Sequence, residues 1–195
     1  MRPDLSVVAG MIPPGSRVLD LGCGDGALLA ELTERHGCSG TGVEIAPASV
    51  VAAVRRGVSV LALDVDRDLG MFADSSYDVV VLSQTLQVTH RPAEVLAHMR
   101  RIALRSVVSV PNFAHWRNRL AVLRGRMPVS SGLPHAWHST PNIHLSTLAD
   151  LEDLVAHIGL RVARRITLNA KSRPAPFAVA SNLRAAGAVY LLERP

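Results

Sequence analysis

Lysine is almost missing from this chain of 195 residues: Lys171 is the only one, so the formal net charge of +5 rests on arginine. Heavy use of arginine with alanine and valine reflects coding bias more readily than a polycationic task. Cysteine is scarce too. Cys23 and Cys38 are the two present; free thiols suit a reducing compartment, and no disulfide is expected. No apolar run approaches the ~20 residues that a transmembrane helix needs. The opening Met1-Arg2-Pro3-Asp4-Leu5 places an acid and a proline where a secretory leader would need an unbroken apolar core, so the cytoplasm is the expected compartment. Acidic residues are missing between Glu94 and Asp150, a stretch that holds Arg100, Arg101, Arg105, Arg117, Arg119, Arg124 and Arg126. Such a stretch faces an acidic protein, nucleic acid or simply solvent.

What is present describes a globular protein. An apolar content of 48% with 19% charge excludes a disordered chain, and the length suits one compact domain over residues 1–195. Residues 3–12 read as a short helix closed by Pro13-Pro14-Gly15. Strands are expected at 18–21, 40–45, 58–63, 77–83 and 106–110, with helices at 27–36, 47–54 and 92–102 between them. This alternation predicts an α/β fold of doubly wound, Rossmann-like type with a mostly parallel sheet. After a helix at 147–158, strands at 160–168 and 185–192 have no helix between them, which predicts an antiparallel pair at the C-terminal edge. Residues 111–146 fit no such rhythm.

The sharpest local motif is V-L-D-L-G-C-G-D-G at 18–26. Gly22, Gly24 and Gly26 let the backbone pass close under a ligand and turn into a helix, with Cys23 and Asp25 in the same loop. Gly22, Gly24 and Ala27 also satisfy the dinucleotide pattern G-x-G-x-x-A. Charge separates the two ligands. A pyrophosphate would meet the carboxylates of Asp20 and Asp25, at roughly 4 kcal/mol for a like-charge contact near 4 Å. S-adenosylmethionine (SAM) carries an ammonium and a sulfonium and no phosphate, so the same acids favour it.

Two further acids support the loop. Glu44, at the end of the second strand, is placed to accept both hydroxyls of a ribose, with Ile45 beside it. Asp64, at the end of the third strand, is placed to accept from an adenine amino group, with the Val65 N–H free for a ring nitrogen; Asp66 and Asp68 compete for that role. Ser83 ends the fourth strand at the same edge. Acids at the carboxyl ends of three adjacent strands mark the crevice where open α/β sheets bind ligands.

This arrangement resembles the class I SAM-dependent methyltransferases over about residues 16–110. The resemblance implies that the first-strand acid and glycine loop hold the methionine end of SAM or S-adenosylhomocysteine, the second acid the ribose and the third the adenine. Longer strings are similar to one family in particular, the methionine biosynthesis protein MetW: M-R-P-D-L at the start, P-G-S-R-V-L-D-L-G-C-G-D-G, S-Q-T-L-Q at 83–87, P-N-F-A-H-W-R-N-R-L at 111–120, G-R-M-P-V at 125–129 and L-P-H-A-W-H-S-T-P-N-I-H-L-S-T at 133–147. The family tends to have tyrosines near Trp137, where this chain has His135 and His138. Membership implies association with homoserine O-acyltransferase (acetyl- or succinyltransferase), an α/β-hydrolase enzyme of methionine synthesis, with SAM as the pathway's end product.

Two classes of function follow. Methyl transfer needs a closed pocket that excludes water, yet only about sixteen residues precede the first strand. The amine-methylation loop Asn/Asp-Pro-Pro-Tyr is replaced by Ser83-Gln84-Thr85-Leu86. His90 and His115 are the candidate bases, each more often simply solvated. His135, His138 and His144 lack cysteines or acids to complete a metal shell, and no metal is expected. A regulatory partner of the acyltransferase is therefore the leading expectation. Its contact surface would lie on Trp116, Arg117, Arg119, Arg124, Arg126 and Trp137, since Trp and Arg dominate protein interfaces. The alternative is a free-standing small-molecule methyltransferase closed by residues 111–146. RNA binding ranks third, without a recognised RNA module.

Overall fold

Three helices open on proline, where the missing N–H is harmless and the fixed φ suits the first turn: α1 (Pro3–Ala9), α3 (Pro47–Arg55) and α4 (Pro92–Ile102). Glycines bracket α2 (Ala27–His36), with Gly26 at φ 75° and Gly37 at φ 63°. Between these helices run β1 (Arg17–Leu21), β2 (Ser39–Glu44), β3 (Ser59–Ala62), β4 (Tyr77–Ser83) and β5 (Ala103–Pro111). The structure is a computed structural model and describes residues 2–130, 132–177 and 179–195. The first five strands are all parallel, in the order β3-β2-β1-β4-β5.

The C-terminal third completes the sheet. After α5 (Trp116–Leu123) and α6 (Leu148–His157) come β6 (Arg161–Leu168), a short α7 (Ser181–Arg184) and β7 (Gly187–Glu193). β7 lies between β5 and β6 and is antiparallel to both. The expected antiparallel edge pair is present, and the fold is that of a mostly parallel α/β sheet. α1 is shorter than the sequence predicts; it stops at Ala9, and Met11 and Ile12 are buried in the turn beyond it. α5 and α7 are additions to the expected elements.

Apolar side chains on both sheet faces account for the layers. On one face Leu19, Leu21 and Leu82 meet Leu96, Met99 and Ile102 of α4 and Leu148 and Leu151 of α6. On the other, Val18, Val81 and Val107 meet Leu5 and Val8 of α1 and Leu28, Leu29 and Leu32 of α2. Tyr190 is fully buried in β7, and its hydroxyl donates to Glu152 of α6 at 3.0 Å. Arg165 of β6 donates to the same oxygen at 2.7 Å. No helix among the described residues is long and apolar enough to cross a membrane.

Gly187 marks the tightest seam. A Cβ there would stand 2.7 Å from the Val110 carbonyl oxygen, at the Pro111 end of the β5–β7 ladder. Sheet backbone cannot retreat as a side chain can, so Gly187→Ala should destabilise the domain by about 1–3 kcal/mol. Urea denaturation checks this; an unchanged midpoint would show that the seam yields.

Candidate functional site

Each parallel strand delivers its last residues to the same edge, so the loops after β1, β2 and β4 meet there. Asp20, Gly22, Cys23, Gly24, Asp25 and Ser83 line one cavity of about 740 Å³, together with Arg2, Gln84 and Thr85. Asp64 and Val65 line a neighbouring cavity of about 580 Å³ with His90. Gly26, Glu44 and Ile45 line neither, so the expected site is divided.

The three loop glycines do different work. A Cβ on Gly22 would lie 2.6 Å from Thr85 Oγ1, and one on Gly26 would lie 3.0 Å from Val58 Cγ2 and 3.1 Å from Ala53 Cβ. Those two positions are glycine because neighbouring side chains press on them. At Gly24, with φ 56°, a Cβ would meet nothing within 4 Å, so Gly24 is the member whose face is open. Cys23 turns inward: its side chain fills the space that a Cβ on Gly42 would need. Burial, with Asp20 and Glu44 nearby, pushes its thiol up to about 12, so it is a packing residue.

The acids are also less alike than their spacing suggests. Asp25 accepts from Arg56 Nη2 at 2.6 Å and from the Ala27 N–H at 3.2 Å. Its carboxylate is thus paired at the surface while still lining the same cavity as Asp20. Asp20 is only 3% exposed and accepts no hydrogen bond among the described residues. Burial raises it to about 7; Arg2 opposes the shift and Glu44 adds to it. Glu44 is turned back on the backbone. One oxygen accepts the Gly24 N–H at 2.9 Å, the other the Ile45 and Ala46 N–H groups at 2.9 Å each.

Beyond β3 the three aspartates are held differently. Asp66 accepts from the His90 and Arg91 N–H groups, and Asp68 accepts from the Asp64 N–H at 2.8 Å. Asp64 accepts the Asp66 N–H at 2.9 Å and has Arg67 at 3.7 Å. The Val65 N–H makes no hydrogen bond among the described residues, and Asp64, Val65 and Asp66 all line the cavity.

Neither candidate base opens onto the glycine-loop cavity. His90 stands in the Asp64 cavity. His115 is the N-cap of α5, where its Nδ1 accepts the Arg117 N–H at 3.4 Å. Burial and the nearby Arg117 hold it below the ordinary histidine range.

Sequence reasoning missed four residues at the edge: Arg2, Asp4, Gln84 and Gln87. Arg2 Nη2 donates to Ser83 Oγ at 3.1 Å, and its Nε approaches Asp4 at 3.5 Å. Gln84 sits in the left-handed region at φ 56°, its N–H held by the Ser109 carbonyl at 3.0 Å. A non-glycine residue there costs of order 1–3 kcal/mol, a strain found at ligand sites and switch regions. The only signal was that these residues fall in the strings M-R-P-D-L and S-Q-T-L-Q.

The 111–146 segment is anchored from below and apolar above. Asn112 is buried and donates to the Asn182 and Ala185 carbonyls. Asn118 donates to the Phe113 carbonyl at 3.1 Å, and the Gln87 carbonyl receives the N–H groups of Ile143 and His144. Trp116 is 46% exposed and Trp137 75%, and Leu123, Met127 and Val129 are exposed as well. Arg117 lies over the Trp116 ring at 5.3 Å, Arg119 is tied to the Ala114 carbonyl, and Arg124 and Arg126 are exposed.

The raised acid gives a stability test. Asp20 holds its proton up to about pH 7 when folded and loses it near pH 4 when unfolded. The folded state binds the extra proton between those values, so stability falls as pH rises through that window. Asp20→Asn should therefore be more stable than the parent, by a margin that grows from pH 4 to 7 and reaches about 1–4 kcal/mol. A pH-independent margin in urea denaturation would contradict the buried, unpaired carboxylate.

Comparison with known proteins agrees with this architecture. The family model described as methionine biosynthesis protein MetW matches residues 2–192. The bifunctional methionine biosynthesis protein MetXA/MetW of Rhodopirellula baltica is 36% identical over 176 residues, 85% of this chain and 28% of that one. The chain spans about 28% to 61% of the length of the curated relatives it matches. Among solved structures, a putative S-adenosylmethionine-dependent methyltransferase from Listeria monocytogenes superposes with a TM-score of 0.73 at 16% identity, covering 99% of this chain and 98% of that one. One from Mesorhizobium loti gives 0.72 at 17% identity, with 97% and 96% covered. The structural likeness establishes the fold, and the sequence matches establish the family: this chain belongs to the MetW family of methionine biosynthesis proteins.

Proposed function

We propose that the chain is a SAM-binding regulatory partner of homoserine O-acyltransferase. The observation that carries the partner is the relative whose name joins MetXA and MetW in one chain; proteins fused in one organism commonly act side by side in others. The exposed surface of Trp116, Trp137, Arg124 and Arg126 suits such a contact, being aromatic and cationic on one segment.

The residues present fit SAM. The open face of Gly24 and the unpaired Asp20 carboxylate suit the cationic methionine end. Glu44 retains an acceptor site for one ribose hydroxyl beyond the Gly24, Ile45 and Ala46 N–H groups it accepts, since a carboxylate offers about four such sites. Asp64 and the free Val65 N–H suit the adenine. Bound SAM supplies a methyl group activated by its sulfonium.

One observation favours the second reading, a free-standing small-molecule methyltransferase. A further cavity of about 360 Å³ shares Arg2 and Gln84 with the glycine-loop cavity. Turnover of a small acceptor by the purified chain, at an ordinary enzymatic rate of about 1 per second or faster, would make that reading the better one.

Ligand binding should report Asp20. A cationic ligand selects the ionised carboxylate, so SAM affinity should rise up to about tenfold per pH unit from pH 5 to 7 and level off above. Asp20→Asn should flatten that profile. Glu44→Ala should weaken S-adenosylhomocysteine by roughly 30-fold or more, because charged hydrogen bonds are lost and the loop is released. Isothermal titration reads both; retained affinity in Glu44→Ala would put the ribose elsewhere.

The partner contact has its own test. The chain should co-purify with homoserine O-acyltransferase, and Trp137→Ala should cut complex formation by ~30-fold or more while SAM binding persists. Arg124→Ala should act mildly and mainly at low salt. Failure of the two proteins to associate at micromolar concentration, with and without SAM, would sink the regulatory reading.

A further inference from the structure

Beside the glycine-loop cavity lies the second one, of about 360 Å³, near the low end of the range for small-molecule sites. Its walls come from α1, the turn after β4, the 111–146 segment and the loop before β7. Asp4, Gln87, Arg2 and Asn142 bring its polar groups.

Two of those groups are acceptors without donors. Asp4 is 4% exposed, and among the described residues its carboxylate accepts no hydrogen bond; Arg2 Nε approaches only to 3.5 Å. Gln87 donates through Nε2 to the Gln84 carbonyl at 2.7 Å, while its Oε1 is buried with no partner. A buried acceptor without a donor costs free energy comparable to a lost hydrogen bond, more when charged. Gln87 Oε1 is sealed from the cavity, so Asp4 is the acceptor that a ligand there can reach, and a buried carboxylate so weakly paired calls for a ligand rich in donors and positively charged. A primary ammonium has three N–H donors and one charge. Arg2 lines the same cavity with N–H groups to spare, and the Asn142 side chain makes no hydrogen bond among the described residues. Those two provide for an anion at the other end of the ligand.

We propose that this second cavity binds a small α-amino acid, its ammonium held by Asp4 and its carboxylate by Arg2 and Asn142. The inference rests on the cavity itself and requires neither the acyltransferase contact nor SAM.

The test is isothermal titration of the full chain with the twenty standard L-amino acids and L-homoserine, each with and without saturating S-adenosylhomocysteine. At least one small member should bind, with the nucleoside present as well as absent. The deaminated analogue of that amino acid should bind at least 10-fold more weakly. Asp4→Asn should weaken binding at least 10-fold. Circular dichroism checks the fold of Asp4→Asn. Should that variant not fold, Asn142→Ala removes the unpaired side-chain amide without a charge change, and should itself weaken binding severalfold. No binding by any member at millimolar concentration overturns the proposal. So does binding that ignores the Asp4 and Asn142 substitutions, or that S-adenosylhomocysteine abolishes, since the amino acid would then occupy the glycine-loop cavity.

Discussion

One carboxylate holds the ligand-facing edge together. Glu44 takes the Gly24 N–H on one oxygen and the Ile45 and Ala46 N–H groups on the other, fixing the glycine loop after β1 against the turn after β2. Hydrogen bonds to a charged group contribute about 1.5–3 kcal/mol each, so this one side chain sets the spacing of two crossovers. The same anion helps to raise Asp20. The loop is thus rigid and at the same time electrostatically unfinished: a fixed negative charge stands near a buried acid with no hydrogen-bond donor. A positive ligand relieves both, whereas a phosphate would add to the strain. The proposed preference for a cation rests on Glu44 and Asp20, since Asp25 already has Arg56 as its partner.

The sheet and its covering helices are legible in the sequence because they follow periodic burial. Y-D-V-V-V-L-S is apolar on both faces because helices cover both, and Pro47 and Pro92 mark helix starts through a purely local rule. The site is less legible. Asp25 looks like a ligand acid until Arg56, thirty-one residues on, is seen to pair with it; nothing local predicts such a pair. Gly22 and Gly26 look like ligand glycines, yet Thr85 and Val58 explain them. Cys23 sits in the ligand loop and points into the core. In each case the identity of the residue is visible in the chain, but the direction of its side chain is a tertiary fact.

Residues 111–146 are the least readable part for a related reason. The segment is held by buried amides, Asn112 and Asn118, and by backbone bonds to Gln87, not by an apolar stripe. Asparagine fastenings have no period, so α5 gave no signal, and its burial rests on Asn118 and not on a row of leucines. Because amides do the anchoring, the apolar residues of the segment are free to face outward. This explains how a protein with so few aromatics leaves both tryptophans substantially exposed.

The final strand determines where a second small cavity can form. β6 runs parallel to β5, so both Pro111 and Leu168 end at the ligand edge, and β7 runs against them, so Gly187 begins there. An all-parallel sheet would bring only strand ends to that edge, with each following helix leading the chain away. Reversing β7 brings in a loop as well: residues 169–186 return to the edge that residues 112–146 leave. Two long connections thus meet across Pro111 and Gly187, beside the turn after β4 that closes the glycine loop. Pro111, Ala186 and Gly187 line the second cavity for this reason, and Arg2 and Gln84 line both cavities because they occupy the seam between them. The adjacency of the two cavities is therefore a consequence of strand order, and a change in one need travel no farther than a single arginine to reach the other.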